Sequence, residues 1–286
     1  MNYVQGIDVS KWQGMMDWNK AYQAGARFAF IRAGSITSTS GDCYEDNQFE
    51  RNADLAPTFM PVGYYWYFRP NHDAYKQAHY FCDLIEHEDW ELPAVCDIED
   101  PGGEPIYYIQ KRLKQFAETC FSRLNKEILI YTSPGFANAF LGNPGWLGEL
   151  DLWVAHWTSN PQPTLPYAWD SWIFWQYSGD DNNLGFEYGA QSRAIDLNRF
   201  NGDAEDFAAY IGQEIPEPPP EPPEELFFPV IVNAPGGLYF RKEPMISNNK
   251  AGAWFNNTEL LVVDAEGQWL KVRGEYWSHR DYLRRV

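Results

Sequence analysis

The chain has 286 residues and a formal charge of −18, long enough for one large domain plus a small one and too acidic for a nucleic-acid ligand. Hydrophobic residues make up 44% of it, which supports a sizeable core. No stretch approaches the roughly 20 apolar residues of a membrane span, and the opening MNYVQGIDVSKW lacks the basic-then-apolar pattern of a signal peptide. Synthesis in the cytoplasm is therefore expected, with any action outside the cell needing another route.

The charge is unevenly shared. From Phe227 onward there are 8 basic and 6 acidic residues, a net of +2, against −20 for the rest. Two parts of opposite balance suggest two jobs. Aromatic content is high, with 13 Trp and 18 Tyr. Aromatic faces stack on sugar rings, so this leans towards carbohydrate, although many of these side chains serve the core. Cys43, Cys82, Cys96 and Cys120 show no Cys-x-x-Cys or metal-like pairing. The last three lie in apolar contexts that suit buried thiols, and the sequence leaves open whether any pair.

In chain order, Val4–Ser10 reads as a first strand, and Asp17 caps a helix to about Ala24. Arg27–Gly34 is the second strand, followed by a polar loop and a helix near Asn47–Leu55. Pro61–Phe68 is the third strand, and Asp73 caps a helix to about Glu86. The apolar run Leu92-Pro93-Ala94-Val95-Cys96 reads as a buried fourth strand and runs into Asp97-Ile98-Glu99. A helix over Pro105–Leu124 follows, with Ile109, Leu113, Phe116, Cys120 and Leu124 on one stripe. Ile128–Thr132 is strand five, with a short helix Pro134–Phe140 behind it. Leu152–Trp157, Trp172–Tyr177 and Arg193–Asn198 are strands six to eight, and Ala204–Ile211 is a closing helix.

Strands alternating with helices imply parallel pairing and right-handed crossovers. The expected fold class is α/β, a (β/α)8-type barrel with reduced later helices. An open doubly wound sheet is the alternative, but no Gly-x-Gly-x-x-Gly follows any strand. Next comes Gln213–Glu225 with the run IPEPPPEPPEE. Such a run cannot pack a core and favours polyproline II, reaching roughly 40 Å at about 3.1 Å per residue. The expected domains are 1–212, a linker over 213–226, and a small all-β module over 227–286. Strands of that module are expected at Val230–Val232, Gly237–Arg241, Leu260–Asp264, Trp269–Val272 and Tyr276–His279, around a core of Trp254, Leu261, Trp269, Val272 and Leu283.

Residues two apart on a strand share a face, and the rise of about 3.3 Å per residue puts the Cβ atoms of Asp97 and Glu99 roughly 6–7 Å apart. Two carboxylates leaving a dry strand suit glycoside hydrolysis, in which one protonates the leaving oxygen and the other handles the positive charge at the sugar carbon. A chance Asp-x-Glu entering a solvated loop explains that stretch equally well. The rest of the chain decides, because Asp8 and Asp196 end strands one and eight, which become neighbours when a barrel closes. All strand ends of a parallel barrel open on one face. Four carboxylates there would repel and raise the proton affinity of the least solvated one, expected to be Glu99 as general acid.

The segment Gly6-Ile7-Asp8-Val9-Ser10-Lys11-Trp12-Gln13-Gly14 resembles the N-terminal signature of glycoside hydrolase family 25, the lysozymes (muramidases) of phages, bacteria and some fungi. The resemblance continues through Val62-Gly63-Tyr64-Tyr65, Asp97-Ile98-Glu99, Ile130-Tyr131-Thr132, Trp175-Gln176-Tyr177 and Ile195-Asp196-Leu197-Asn198, covering Val4 to about Ile211. It implies cleavage of the β-1,4 bond between N-acetylmuramic acid and N-acetylglucosamine in bacterial peptidoglycan, without metal or cofactor. By the same resemblance Glu99 is the general acid/base and Asp97 stabilises the acetamido group or oxocarbenium charge. Asp8 and Asp196 position the sugar. Net retention is implied, with the substrate's own acetamide as one route to it; the Asp-x-Glu spacing alone leaves retention and inversion open.

Candidate groove aromatics are Tyr65, Tyr67, Tyr131, Trp157, Trp175 and Tyr177, each explained equally by barrel packing. Trp66-Tyr67-Phe68 departs from the family's smaller, His-containing stretch and would reshape the groove. The C-terminal module resembles a bacterial Src-homology-3-like cell-wall-binding domain, through Gly237-Leu238-Tyr239-Phe240-Arg241 and Gln268-Trp269-Leu270-Lys271-Val272. Such a module would raise the hydrolase's effective concentration on the wall. The five histidines show no metal spacing, and His156 is best read as packing. The reading is thus a monomeric, endolysin-like muramidase with peptidoglycan as its partner, released by a holin or by lysis. A chitinase-like hydrolase and a non-catalytic wall-binding protein are the alternatives; intact Asp8, Asp97, Glu99 and Asp196 argue against the second.

Overall fold

The computed structural model describes residues 3–179, 182–212, 228–246, 249–272 and 276–286. The spacer expected over 213–226, together with Phe227, lies outside them. The chain separates into two compact units, Met1–Ile215 and Pro216–Val286.

In the first unit, nine strands form one sheet: β1 (Gln5–Val9), β2 (Ala29–Ile36), β3 (Cys43–Glu45), β4 (Val62–Tyr67), β5 (Val95–Asp97), β6 (Leu129–Thr132), β7 (Leu152–Ala155), β8 (Phe174–Ser178) and β9 (Asp196–Phe200). β1 is hydrogen-bonded to both β2 and β9, so eight of these strands close into a barrel and β3 hangs antiparallel on β2 outside it. Helices α1 (Trp18–Gln23), α2 (Phe49–Leu55), α3 (Ala74–Ile85) and α4 (Ile106–Leu124) follow the early strands. Asp17 and Asp73 cap α1 and α3 by accepting from the backbone N–H groups of Lys20 and Lys76. The connection after β6 carries a short helix, α5 (Pro134–Phe136), that continues through Ala137–Leu141 with a wider turn, and a single turn over Leu147–Glu149 precedes β7; the closing helix is α6 (Ala204–Ile211).

One expectation is corrected: the barrel is not all parallel. β9 runs antiparallel to both β8 and β1. A parallel neighbour needs a crossover back to the far end of the barrel, and the segment after β8 makes none. It is tied to the loop after β1, with Asp17 N–H donating to Gly189 O at 2.9 Å and Gln191 N–H to Gln13 O at 2.8 Å. The chain therefore re-enters the barrel from the mouth. Asp196 begins its strand rather than ending it, yet still stands at the mouth, in register opposite Asp8.

Alternation along each strand divides the side chains into an outer and an inner core. Outward residues such as Ile7, Ile31, Tyr64, Trp66, Cys96, Ile130, Val154 and Trp175 pack with the helices. The inner core is strongly aromatic, with Phe28, Phe30, Tyr65, Tyr131, Trp153, Phe174, Phe200 and Phe207. Phe207 of α6 contacts Phe28 and Phe200, and above them Phe30 stacks on Trp153 at 4.4 Å. Such bulk fits because glycines face it. A Cβ on Gly6 would lie 2.3 Å from the Phe28 ring, and one on Gly63 would lie 2.7 Å from Phe30. Cys82, Cys96 and Cys120 are buried and unpaired, and Cys43 is half-buried and unpaired.

The second unit is a seven-stranded antiparallel sheet: β10 (Phe228–Val232), β11 (Leu238–Arg241), β12 (Lys250–Trp254), β13 (Glu259–Glu266), β14 (Trp269–Val272), β15 (Tyr276–His279) and β16 (Leu283–Arg285), in the order β12-β11-β15-β14-β13-β10-β16. Its core is Val230, Val232, Ala234, Leu238, Leu260, Val262, Leu270 and Val272, with Trp254 and Leu283 packed at its edge. Leu261, expected in that core, is 45% exposed because its neighbours Leu260 and Val262 take the inward positions. Trp269 likewise alternates away from the core while Leu270 enters it.

The inner packing yields a test. Gly6→Ala should cost about 1–3 kcal/mol, the range for overfilling a packed core, whereas Gly135→Ala, whose new Cβ meets nothing within 4 Å, should be neutral or mildly stabilising. Denaturant midpoints of the two variants check this; equal midpoints would contradict it.

Candidate active site

At the mouth of the barrel the inner stripe changes from aromatic to polar. A cavity of about 460 Å³ is lined there by Asp8, Asp97, Glu99 and Asp196, by Tyr65, Tyr67 and Tyr131, and by Ser10, Trp12, Gln13, Arg32, Trp153 and Gln176. A second groove of about 440 Å³ adjoins it, lined by Ser133, His156, Trp157 and Thr164 and sharing Glu99, Tyr131 and Gln176 with the first. The two form one cleft across the mouth, with Glu99 common to both halves.

Asp97 ends β5 and is 5% exposed, while Glu99 stands two residues further on, exposed at the rim. Asp97 Oδ1 is buried and has no hydrogen-bond partner among the described residues. Burial pushes Asp97 well above the usual carboxylate range, and the neighbouring Glu99 carboxyl pushes further, against the pull of Arg32. Desolvation by the cleft walls also raises Glu99, opposed by the neighbouring Asp97 carboxyl and by Arg32. The least solvated member of this pair is thus Asp97, not Glu99 as expected. The side chain that ends a strand inside a closed sheet lies deeper than one on the departing loop.

Asp8, also 5% exposed, is held from below. Its Oδ2 accepts from Gln176 Nε2 at 2.9 Å and from Asn198 Nδ2 at 2.8 Å. Gln176 Oε1 accepts from Tyr131 OH at 2.9 Å and Trp157 Nε1 at 3.1 Å, and Asn198 Oδ1 accepts from Trp153 Nε1 at 2.8 Å. Each amide thus has its carbonyl occupied by a ring donor and its NH₂ turned to the carboxylate, so the network fixes the position of Asp8. Leaving one such buried group unpaired costs about 1–3 kcal/mol. Burial and the surrounding carboxylates raise Tyr65 well above its ordinary value, and Tyr131 likewise; Tyr67 is pushed up to about 12 by burial, Asp97 and Glu99.

Of the expected groove aromatics, Tyr65, Tyr67 and Tyr131 line the cavity and Trp157, 53% exposed, lines the side groove. Trp175 and Tyr177 do not, which corrects the expectation. They sit on the outward parity of β8, where Trp175 is fully buried and donates to His156 O at 2.7 Å, and Tyr177 donates to Gln5 Oε1 at 3.0 Å. Gln176 between them faces inward. Of the bulky Trp66-Tyr67-Phe68, only Tyr67 meets the cleft; Trp66 and Phe68 lie in the outer core. His156, expected to pack, borders the side groove, its Nδ1 accepting from Thr164 N–H at 2.9 Å. Sequence reasoning missed Arg32, Gln176, Asn198 and Trp153. The signal was parity: Arg32 follows Phe28 and Phe30 at every second residue, and Gln176 follows Phe174.

A protein-family model, glycosyl hydrolases family 25, matches residues 7–186. Lysozyme M1 of Streptomyces globisporus is 35% identical over 213 residues, covering 70% of this chain and 69% of its own. An N,O-diacetylmuramidase of Arthroderma benhamiae is 29% identical over 224 residues, 73% and 84% of the two chains. The crystal structure of the bacterial lysozyme from Streptomyces coelicolor superposes with a TM-score of 0.63 at 29% identity, over 74% of this chain and 98% of that one.

A buried carboxyl whose pKa is raised by folding binds its proton more tightly folded than unfolded. It therefore favours the folded state least once the pH has risen through its folded pKa. Asp97→Asn should accordingly raise Tm at pH 7–8, by about 2–4 °C for each kcal/mol recovered, and the gain should shrink towards pH 4. Calorimetry across that range checks the sign; a variant less stable than wild type at pH 8 would contradict it.

Proposed function

The chain belongs to glycosyl hydrolases family 25 and is therefore a glycoside hydrolase, and we propose that it is a muramidase that cuts the β-1,4 bond between N-acetylmuramic acid and N-acetylglucosamine in bacterial peptidoglycan. The observation that carries this is the meeting of Asp8, Asp97, Glu99 and Asp196 in one cleft, with Glu99 common to both of its halves. A polymer lying along such a cleft presents an internal linkage to Glu99. The curated relatives' names, lysozyme and N,O-diacetylmuramidase, point to the same bond.

In this reading Glu99 is the general acid. Its raised pKa keeps a proton available for the leaving glycosidic oxygen, and its exposed position lets it reach that oxygen. Inversion needs carboxyls about 6.5–9.5 Å apart with a water between them, and two carboxyls that perturb each other as Asp97 and Glu99 do favour a closer spacing. The reading that suits this spacing is attack by the substrate's own acetamide oxygen on the sugar carbon, with net retention. Asp97 takes the acetamide N–H and balances the positive charge formed there. Glu99, having given up its proton, then draws one from the water that opens the cyclic intermediate. Asp8, braced by Gln176 and Asn198, and Asp196 opposite it position the sugar. Tyr65, Tyr67, Tyr131 and Trp157 offer ring faces and hydroxyls along the cleft.

We assign the second unit a wall-binding role like that of a Src-homology-3-like module. It carries a concave face of about 450 Å³ lined by Tyr239, Arg241, Trp269, His279 and Tyr282, and a weak second contact multiplies residence on a polymer. An endolysin-like role, with release at lysis of the producing cell, extends the same reading. No described helix is long and apolar enough to cross a membrane.

Glu99→Gln should lower turnover by about 10²–10⁴-fold, the usual share of a general acid, while wall binding and the thermal transition persist. Turbidity clearance together with mass spectrometry of the digest checks both the loss and the bond cut; near-native clearance by the variant would refute the acid assignment. Replacing both Tyr239 and Tyr282, each about half-exposed, with Ala should weaken sedimentation with whole walls and spare hydrolysis of soluble glycan fragments. Equal loss in both assays would contradict the targeting role.

A further inference from the structure

One bank of the cleft carries a cation, Arg32, although the chain as a whole carries a charge of −18. Arg32 lies on the inward parity of β2 and reaches the cavity that also holds Asp8, Asp97, Glu99 and Asp196. Its guanidinium sits 5.1 Å from the centre of the Tyr67 ring, and Nη2 meets Tyr44 OH at 3.3 Å. Among the described residues it forms no ion pair, and its Nε is buried without a partner. Beside it, the Lys11 ammonium stands 5.0 Å from the Trp12 ring and 5.9 Å from that of Tyr44. Burial opposes the charge on Arg32, but Tyr65, Tyr44, Asp97 and Asp46 outweigh it and keep the group protonated.

A guanidinium held against an aromatic face and not committed to a carboxylate is suited to take an anion or a carbonyl from outside. Among the described residues that line this bowl, Arg32 is the one cation facing the carboxyls of Asp8, Asp97, Glu99 and Asp196, so an acidic substituent entering it is favoured only along this bank. The two sugars of the proposed substrate differ by one group, the 3-O-lactyl ether of muramic acid. That group ends in a carboxylate or, where a peptide is attached, in an amide carbonyl. We propose that Arg32 is the residue that determines specificity for muramic acid, by donating to the lactyl group while Tyr67 and Trp12 shape the bank around it. Chitin, which lacks the group, gains nothing from Arg32. This inference rests on the muramidase reading.

The test uses the full chain and two soluble glycans of alternating N-acetylglucosamine and N-acetylmuramic acid, one with free lactyl carboxylates and one in which they are reduced to the alcohol. Wild type should show a kcat/KM about 10–100-fold higher on the carboxylate glycan, the range of one charge-assisted hydrogen bond. Arg32→Met should erase most of that ratio and Arg32→Lys should restore part of it; because Arg32 holds the pKa of Asp97 and Glu99 down, the profile of Arg32→Met should move to higher pH by the same amount on both glycans. Equal rates of wild type on the two glycans would overturn the proposal whatever the variants do. So would an equal loss on both glycans in Arg32→Met, measured at the pH optimum of each enzyme, because Arg32 would then act only through Asp97 and Glu99. Failure of wild type to cut either glycan would instead sink the muramidase reading.

Discussion

Closure of the sheet is the constraint on which everything else depends. Once β1 is hydrogen-bonded to both β2 and β9, every second residue of eight strands is committed to an interior about the width of two rings. The lower interior is filled by Phe28, Phe30, Trp153, Phe174, Phe200 and Phe207, and room for them comes from Gly6 and Gly63. What remains at the open end is a ring of side chains on the same parity, which is where Asp8, Arg32, Asp97, Tyr131, Gln176 and Asp196 meet. The site is the last layer of the core, left unfilled and polar. Its supports are the aromatic layer directly beneath, as the Trp153–Asn198–Asp8 chain of hydrogen bonds shows.

Polarity at that depth has a thermodynamic cost. Water is excluded around Asp97 by the barrel wall, so the carboxylate form is disfavoured, and Asp97 and Glu99 both hold a proton more tightly than free carboxyls do. The same dryness that destabilises the ionised pair keeps an acid available above the usual carboxylate range. Functional sites commonly trade stability for reactivity in this way. Asp8 differs from that pair in receiving two amide donors.

Much of this was legible in the sequence. Apolar runs and caps located every barrel strand and the main helices, and the strand ends singled out Asp8, Asp97, Glu99 and Asp196. What failed, failed for identifiable reasons. The direction of β9 depends on hydrogen bonds between Gly189, Gln191 and the loop after β1, contacts between segments about 175 residues apart that no local pattern encodes. Asp196 reached the mouth for a reason other than the one expected, entering from that side instead of ending there. Trp175 and Tyr177 were chosen for being aromatic, when the parity set by inward Phe174 sends both outward and Gln176 in. Arg32 was passed over although it continues the Phe28 and Phe30 alternation. In the second unit the same slip exchanged Leu261 for Leu260 and Val262. Residue type pointed to the chemistry, and position modulo two decided which residues take part.

The most direct test of this account is a carbon-13 NMR titration of the side-chain carboxyls of Asp97 and Glu99 in the full chain. The account predicts that the two signals move together, in two steps, both displaced above the ordinary carboxylate values near about 4. Two independent titrations, each close to that ordinary range, would mean that the two carboxyls do not perturb each other at the mouth of the barrel and would contradict it.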